Sequence, residues 1–397
     1  MKLTGDLNLV KKINTSIVLN HIRSFSPISR ARIAEMTGLT KATVSSLVNE
    51  LIESHLTYEI GAGASSGGRK PMMLLFNSTA GYAVGVDLGV NYIYAALSDL
   101  NGALIEDYRI KHDNASQDLV ISELKACIRE VIARAPKNAY GIVGISIGIP
   151  GISDEQGNVL FAPNLRWENV PLQQIIEAEF HIPVVIDNEA NAGAVGEKQF
   201  GTAKSASNLV YISIGSGIGT GIIIKNELYR GSSGFSGEIG HMSIEHDGLK
   251  CVCGNKGCWE LYASEKALLD QARHVFGDVK LTLEKLLSMA DEGNQRVIEL
   301  FEQLGNYLSV GVVNIINSLN PEMIVIGGRL AEAQQWLSKP LLKGLKERSL
   351  PYPRDQLHVL FSELGIEATV LGACSIAIHA FFAANPSWVE LQSYFPT

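Results

Sequence analysis

One pattern that occurs twice limits what this chain can fold into. Tyr82–Val86 reads as an apolar strand, Asp87-Leu88-Gly89 as a tight turn, and Tyr92–Ser98 as a second strand. Asn101-Gly102 is a strong two-residue hairpin signal, and Ala103–Ile110 completes a three-stranded meander. The layout returns at Leu209–Ile214, the glycine turn Gly215–Gly221, and Ile222–Tyr229. Helical and strand segments follow each meander. The repeat predicts a duplicated α/β architecture in which two lobes enclose a cleft, where ligands usually bind. Each glycine turn sits where backbone N–H groups could cradle a phosphate. With 397 residues and 46% apolar types, each lobe can bury its own core. The 38 glycines cluster in turns without a fixed period, which excludes a collagen-like chain.

Residues 1–80 follow a different grammar and predict a separate head, with the body in 81–397. The body would divide into lobes at roughly 81–195, joined by the C-terminal helix, and 196–375. In the head, Leu9–Phe25 places Val10, Ile13, Ile17, Val18, Ile22 and Phe25 on a broad apolar helical face. Ser29 is an N-cap for a short helix through Met36, and Gly38 ends it. Thr40 caps a further helix with Val44, Leu47, Val48 and Leu51 at i, i+3, i+4 and i+7. Its other face, Lys41, Thr43, Ser45, Ser46 and Asn49, is short, polar and nearly free of acids. This is the helix-turn-helix pattern, whose second helix enters the major groove of DNA by its N-terminal residues. Ser29, Arg30, Thr40, Lys41, Thr43, Ser45 and Ser46 are therefore the candidate contacts.

Leu56–Ile60 and Met72–Phe76 are short β-prone runs joined by a Gly/Ser loop ending in Arg69-Lys70. Alone, such a loop reads as an interdomain linker. Behind a helix-turn-helix it reads as a β-wing, with Arg69 and Lys70 along phosphates or in the minor groove. Charge agrees in direction. Residues 1–75 hold nine Lys/Arg against five acids, a balance of +4, and the remainder holds 24 against 36, a balance of −12.

His241, Cys251, Cys253 and Cys258 gather one imidazole and three thiols within 18 residues, with Gly254 and Gly257 permitting a tight knuckle. Three thiolates and a histidine form a closed tetrahedral set suited to one structural Zn²⁺ per chain. Cys127 and Cys374 read as small core residues. Five cysteines are the wrong profile for a secreted disulfide framework. The start of the chain lacks a signal-peptide core. The apolar stretch Val370–Ala384, about 15 residues broken by Ser375 and His379, reads as too short for a bilayer. The expectation is a cytoplasmic protein without membrane contact.

The body also carries a resemblance. Gly148-Ile149-Pro150-Gly151, Ala162-Pro163-Asn164-Leu165, Asp187-Asn188-Glu189-Ala190-Asn191-Ala192, Gly237-Glu238-Ile239-Gly240-His241, Cys251 to Glu260, and Asn320-Pro321-Glu322 before Ile324-Val325-Ile326-Gly327-Gly328 resemble the ROK family of repressors and sugar kinases. The resemblance implies a duplicated actin-like, ribonuclease-H-like fold and a zinc knuckle. It implies a sugar site of Asn188, Glu189, Glu238, His241 and Glu260, with Asn164 beside them. With the head attached, segments such as Cys258-Trp259-Glu260-Leu261-Tyr262-Ala263-Ser264-Glu265 resemble the xylose-repressor branch. That likeness implies a homodimer or homotetramer on a palindromic operator, released by xylose.

Two departures argue against phosphoryl transfer. The resemblance places an Asp general base where Glu189 stands, and its first phosphate turn continues with small hydroxyl and cationic residues where Val90-Asn91-Tyr92 follow here. Arg329 after Gly327-Gly328 puts a long side chain where a further Gly is preferred near adenosine. The intact Gly215–Gly221 turn leaves ATP binding open. The expectation is a regulator that is not an enzyme. The alternatives are an ATP-dependent sugar kinase with a regulatory head and an adaptor whose head docks a protein. The extra methylene of Glu189 is expected to fill the space of a hexose C6, favouring a pentose.

Overall fold

The computed structural model describes residues 7–62, 71–112, 116–277 and 280–384. In the head, α1 (Leu7–Phe25), β1 (Ile28–Ser29), α2 (Arg30–Thr37) and α3 (Lys41–Glu53) precede β2 (Thr57–Ala62) and β3 (Met72–Phe76). The capping residues act as their types predict. Ser29 accepts from Arg32 N, Thr40 accepts from Thr43 N, and Gly38 ends α2 in the left-handed region at φ 72°. Val44, Leu47, Val48 and Leu51 are buried. The wing strands pair antiparallel with Thr57 opposite Phe76, and β1 adds to the free edge of β3, Ile28 opposite Leu74. Arg69 and Lys70 lie outside the described residues.

The expected apolar face of α1 needs correction. Val18, Leu19 and Ile22 are buried, but Val10 and Phe25 are 47% and 49% exposed. Thr15 and Ser16 take the buried places beside them. Their hydroxyls donate to the carbonyls of Lys11 and Lys12, four residues back, so no polar group is left unpaired.

In the first lobe, β4 (Tyr82–Leu88), β5 (Tyr92–Asp99) and β6 (Leu104–Lys111) form the meander, and α4 (Gln117–Ala133) covers one face. Then come β7 (Ile142–Ile149), the small sheet of β8 (Ile152–Ser153), β9 (Val159–Ala162) and β10 (Trp167–Val170), α5 (Leu172–Phe180), β11 (Val184–Asn188) and α6 (Glu189–Gln199). The large sheet runs β11-β7-β4-β5-β6, with β4, β7 and β11 parallel.

The second lobe repeats it. Strands β12 (Leu209–Ile214), β13 (Ile218–Ile224) and β14 (Glu227–Leu228) form the meander. The short α7 (Glu260–Ala263), α8 (Glu265–Phe276), α9 (Leu283–Asp291) and α10 (Gln295–Leu319) lead to β15 (Met323–Gly327). Helices α11 (Gln334–Arg348) and α12 (Pro351–Asp355) precede β16 (His358–Phe361), and the sheet order is β14-β13-β12-β15-β16. One sequence expectation shifts here. Strand β13 starts at Ile218 inside the glycine turn and stops at Ile224, because Lys225 and Asn226 take positive φ and make the hairpin turn.

Helix α13 (Glu367–Ala384) closes the fold. It is 18 residues long, three more than the Val370–Ala384 reading, and passes for a membrane span by length and composition alone. Just over half of that window, 56%, is buried inside the protein, as for a core helix. Together α6 and α13 lie between the two large sheets. Glycines set this packing. A Cβ on Gly372 would lie 1.7 Å from the Ala192 carbonyl, one on Gly196 2.0 Å from Ala368 O, and one on Gly85 2.2 Å from Val370 O. The far end of α13 joins the head, since Ala377 and Ile378 share a core with Val18, Ile22, Leu74, Phe76, Ala83 and Val143.

Gly372→Ala should therefore destabilise the protein by roughly 1–3 kcal/mol or more through overpacking against backbone that cannot give way. A thermal melt of the variant beside wild type measures it.

Candidate functional site

A cleft of about 250 Å³ opens between the lobes, at the carboxyl ends of β4, β7 and β11 on one side and the β12–β13 turn on the other. Asn188 and Glu189 reach it because β11 ends there and α6 begins there. Asn188 is the N-cap: its Oδ1 accepts from Ala190 N at 2.8 Å and its Nδ2 donates to Gly151 O at 3.1 Å. Asn164, Glu238, His241 and Glu260 also line the cleft, so the structure brings all six predicted sugar residues together.

The glycines of the β12–β13 turn are explained by these acids. A Cβ on Gly217 would meet Glu260 Oε2 at 2.7 Å, with Asn164 Nδ2 at 3.8 Å, and a Cβ on Gly219 would meet Glu189 Oε1 at 3.1 Å. Positions 217 and 219 stay bare so that two carboxyls can lie over the strand. The turn is thus part of the acid-lined pocket, whatever its capacity for phosphate.

Burial dominates the electrostatics. Glu189 is pushed up to about 8, first by desolvation and then by the nearby charges of Asp87 and Glu238. Its Oε2 is buried with no hydrogen-bond partner, and so is Oδ1 of Asp87. At neutral pH Glu189 holds its proton and presents a donor to the cleft. Glu238 is also raised, by burial and by Glu260, against the opposing influence of His241.

Nδ1 of His241 and the sulfurs of Cys251, Cys253 and Cys258 lie within 4.8 Å of one another. Cys253 and Cys258 Sγ are 3.7 Å apart, close to the roughly 3.8 Å edge of a tetrahedron with 2.3 Å metal–sulfur bonds. Burial raises the thiols of Cys251 and Cys258, a penalty that a divalent cation among them would offset. The cluster can hold a metal. The other ring nitrogen of His241 points into the cleft, 3.9 Å from Glu238 Oε2. Between the knuckle and Glu260, Trp259 is fully buried over Gly311 and donates to Tyr307 O at 2.9 Å, which ties the site to α10.

The other half of the cleft is occupied by Tyr92 and Arg329, both singled out in the sequence as departures, and the fold shows the partners that the sequence could not. Tyr92 folds its ring over Gly89 and donates to Asp87 Oδ2 at 2.7 Å. The tyrosine that departs from the family's first phosphate turn thus gives one carboxylate oxygen of Asp87 a partner and covers that turn. Arg329 is held by Glu265 at 2.7 Å and also pairs with Glu284, putting a carboxylate beside the place a nucleotide would need. Arg230 reaches Asp187 Oδ2 at 2.6 Å, an ion pair from the second lobe to the residue before Asn188.

In the head, Lys41 and Ser46 are exposed on α3, with Thr43 and Ser45 partly exposed beside them. Thr40 and Thr43 hydroxyls are 2.9 Å apart at the helix start. Ser29 is spent on its cap, and Arg30 is drawn to Glu59 of β2 and to Asn49 Oδ1 at 3.1 Å.

Comparison with known proteins agrees with this geometry. Residues 83–380 match the ROK family. The chain belongs to the ROK family. The xylose repressor of Bacillus spizizenii is 44% identical over 377 residues, covering 95% of this chain and 98% of its own. A solved ROK family transcriptional regulator, a homologue of the Escherichia coli protein MLC, covers 94% of this chain and 97% of its own at 32% identity and a TM-score of 0.80. A ROK glucokinase from Streptomyces griseus, solved with glucose and AMPPNP, matches at 28% identity and a TM-score of 0.69. It covers 98% of itself but 74% of this chain. The full-length likeness is to regulators.

Because the folded carboxyl of Glu189 titrates near 8 and an unfolded one near 4, ionisation opposes folding progressively as pH rises between those values. Glu189→Gln should gain stability over wild type by up to about 1.4 kcal/mol per pH unit across that interval, and nothing below it. Denaturant melts at pH 5 and pH 9 give the difference.

Proposed function

We propose that this ROK protein is a DNA-binding repressor of pentose utilisation genes, released from its operator by xylose, and not an enzyme. The observation that carries the reading is one cleft in which the acid-rich sugar half is complete and the phosphate half is filled by Tyr92 and an Arg329–Glu265 pair. The full-length match to a xylose repressor supports the effector. The kinase alternative is disfavoured by the same Tyr92 and by Glu189 at the general-base position.

Residues 1–80 form the head that reads DNA and 81–397 the body that reads sugar. Thr40, Lys41, Thr43, Ser45 and Ser46 approach base edges and phosphates, with Ser29 and Arg30 behind them, and Arg69 and Lys70 add two cations for phosphate contact. Asn164, Asn188, Glu189, Glu238, His241 and Glu260 bind the sugar hydroxyls. A protonated Glu189 donates where an ionised acid could only accept. One Zn²⁺ per chain, held by His241, Cys251, Cys253 and Cys258, is structural, since all four positions are filled by protein. It fixes the knuckle on which Glu260 stands. A cytoplasmic homodimer or homotetramer would match a palindromic operator.

A gel shift with the DNA upstream of the protein's own coding sequence tests the reading. Binding should be specific, weaken steeply with salt, and weaken with xylose by about 5- to 150-fold. Retention of the operator at saturating xylose would reject the reading. Calorimetry with xylose, glucose and arabinose tests the role of Glu189: xylose should bind tightest, and tighter glucose binding would contradict it. Metal analysis should find one zinc per chain, and its removal by a chelator should lower the melting temperature and abolish sugar binding.

A further inference from the structure

Resting on that functional reading, we propose that α13 is the element that carries the state of the sugar site to the DNA-binding head. The helix spans about 27 Å at 1.5 Å per residue and touches both ends of the problem. At its start, Thr369 lines the cleft and donates its hydroxyl to the Glu189 carbonyl at 3.2 Å. At its end, Ala377 and Ile378 enter the core of the head. Phe381 packs edge-on against Tyr140 at 5.4 Å between ring centroids, and Tyr140 donates to Ser54 O just after α3 at 2.7 Å. Phe382 lies 4.6 Å beneath the guanidinium of Arg23 on α1. Arg23 also donates to Leu100 O at 3.2 Å. It is partly buried, and these contacts help to fix where α1 sits.

Strand β4 also runs from the head core at Ala83 to the cleft at Asp87, but it is hydrogen-bonded to β5 on one edge and β7 on the other. A strand held on both edges does not slide within its sheet. Helix α13 belongs to no strand ladder: it packs against α6 and the first sheet through Gly372, Gly196 and Gly85, with the Thr369 hydroxyl bonded to the Glu189 carbonyl. The contacts through Gly372 and Gly196 make α6 and α13 one unit, and packed helices shift by one or two ångströms against their neighbours in switching transitions. Because α6 begins at Glu189 and α13 lies in direct contact with it, sugar that repositions Glu189 displaces the pair together. The displacement arrives at Phe381 and Phe382, where it re-seats α1 and the rest of the head.

The test uses two conservative variants at the far end of the helix, Phe382→Leu and Phe381→Leu, neither of which lines the cleft or the DNA face. Melting temperatures establish that each is folded, and calorimetry gives the xylose affinity of the free protein. Gel shifts with and without saturating xylose give the ratio of operator affinities. In both variants xylose should bind within about twofold of wild type, while the ratio falls from the wild-type 5- to 150-fold toward one. Should Phe382→Leu weaken operator binding too far to measure, Phe381→Leu supplies the ratio. A wild-type ratio in folded variants overturns the proposal, and so does loss of sugar affinity in proportion to the loss of coupling. A ratio of one in the wild-type protein instead removes the functional reading itself, and with it the relay.

Discussion

Close approach of backbone to backbone along α13 is the constraint on which the rest of this structure depends. Gly372, Gly196 and Gly85 let two helices and a sheet come together at distances that no other side chain permits. That contact places α6, and therefore Glu189, at the cleft. It also leaves α13 long enough to emerge under the head and share its core. Sugar site and head are in this sense built on one packed unit, and the metal knuckle faces it across the cleft.

The two halves of the cleft differ in what lines them. Bare positions at Gly217 and Gly219 admit the carboxyls of Glu260 and Glu189, so the acids crowd, and burial favours the protonated form of Glu189. Tyr92 donates to one oxygen of Asp87 on the opposite side, and Arg329 is shared between Glu265 and Glu284. Each of these contacts is local, and together they fill the half of the cleft opposite the acids.

Much of this was legible in the sequence where one residue type has one physical use. Ser29, Gly38 and Thr40 mark helix ends through caps that depend on nearby backbone, and the His/Cys spacing implies its own geometry. The duplicated meander showed the two lobes because alternation and turn residues are local signals. What stayed hidden depends on contacts between distant segments. Strand β1 is two residues long and exists only because β3 offers an edge. The buried hydroxyls of Thr15 and Ser16 look polar until their bonds to the preceding turn are seen. Tyr92 reads as a strand residue, and only the fold brings its hydroxyl to Asp87. The apolar run at the C-terminus is equally silent about its burial between two sheets.

Coupling between cleft and head must be mutual, since a ligand that weakens DNA binding is itself weakened by DNA in equal measure. Titrating xylose calorimetrically into the free protein and into the protein saturated with operator duplex therefore probes the link without any variant. The account predicts a xylose dissociation constant raised in the DNA complex by the same factor that xylose weakens the operator. Equal constants in the two titrations would mean that the two sites do not communicate, and the account would fail.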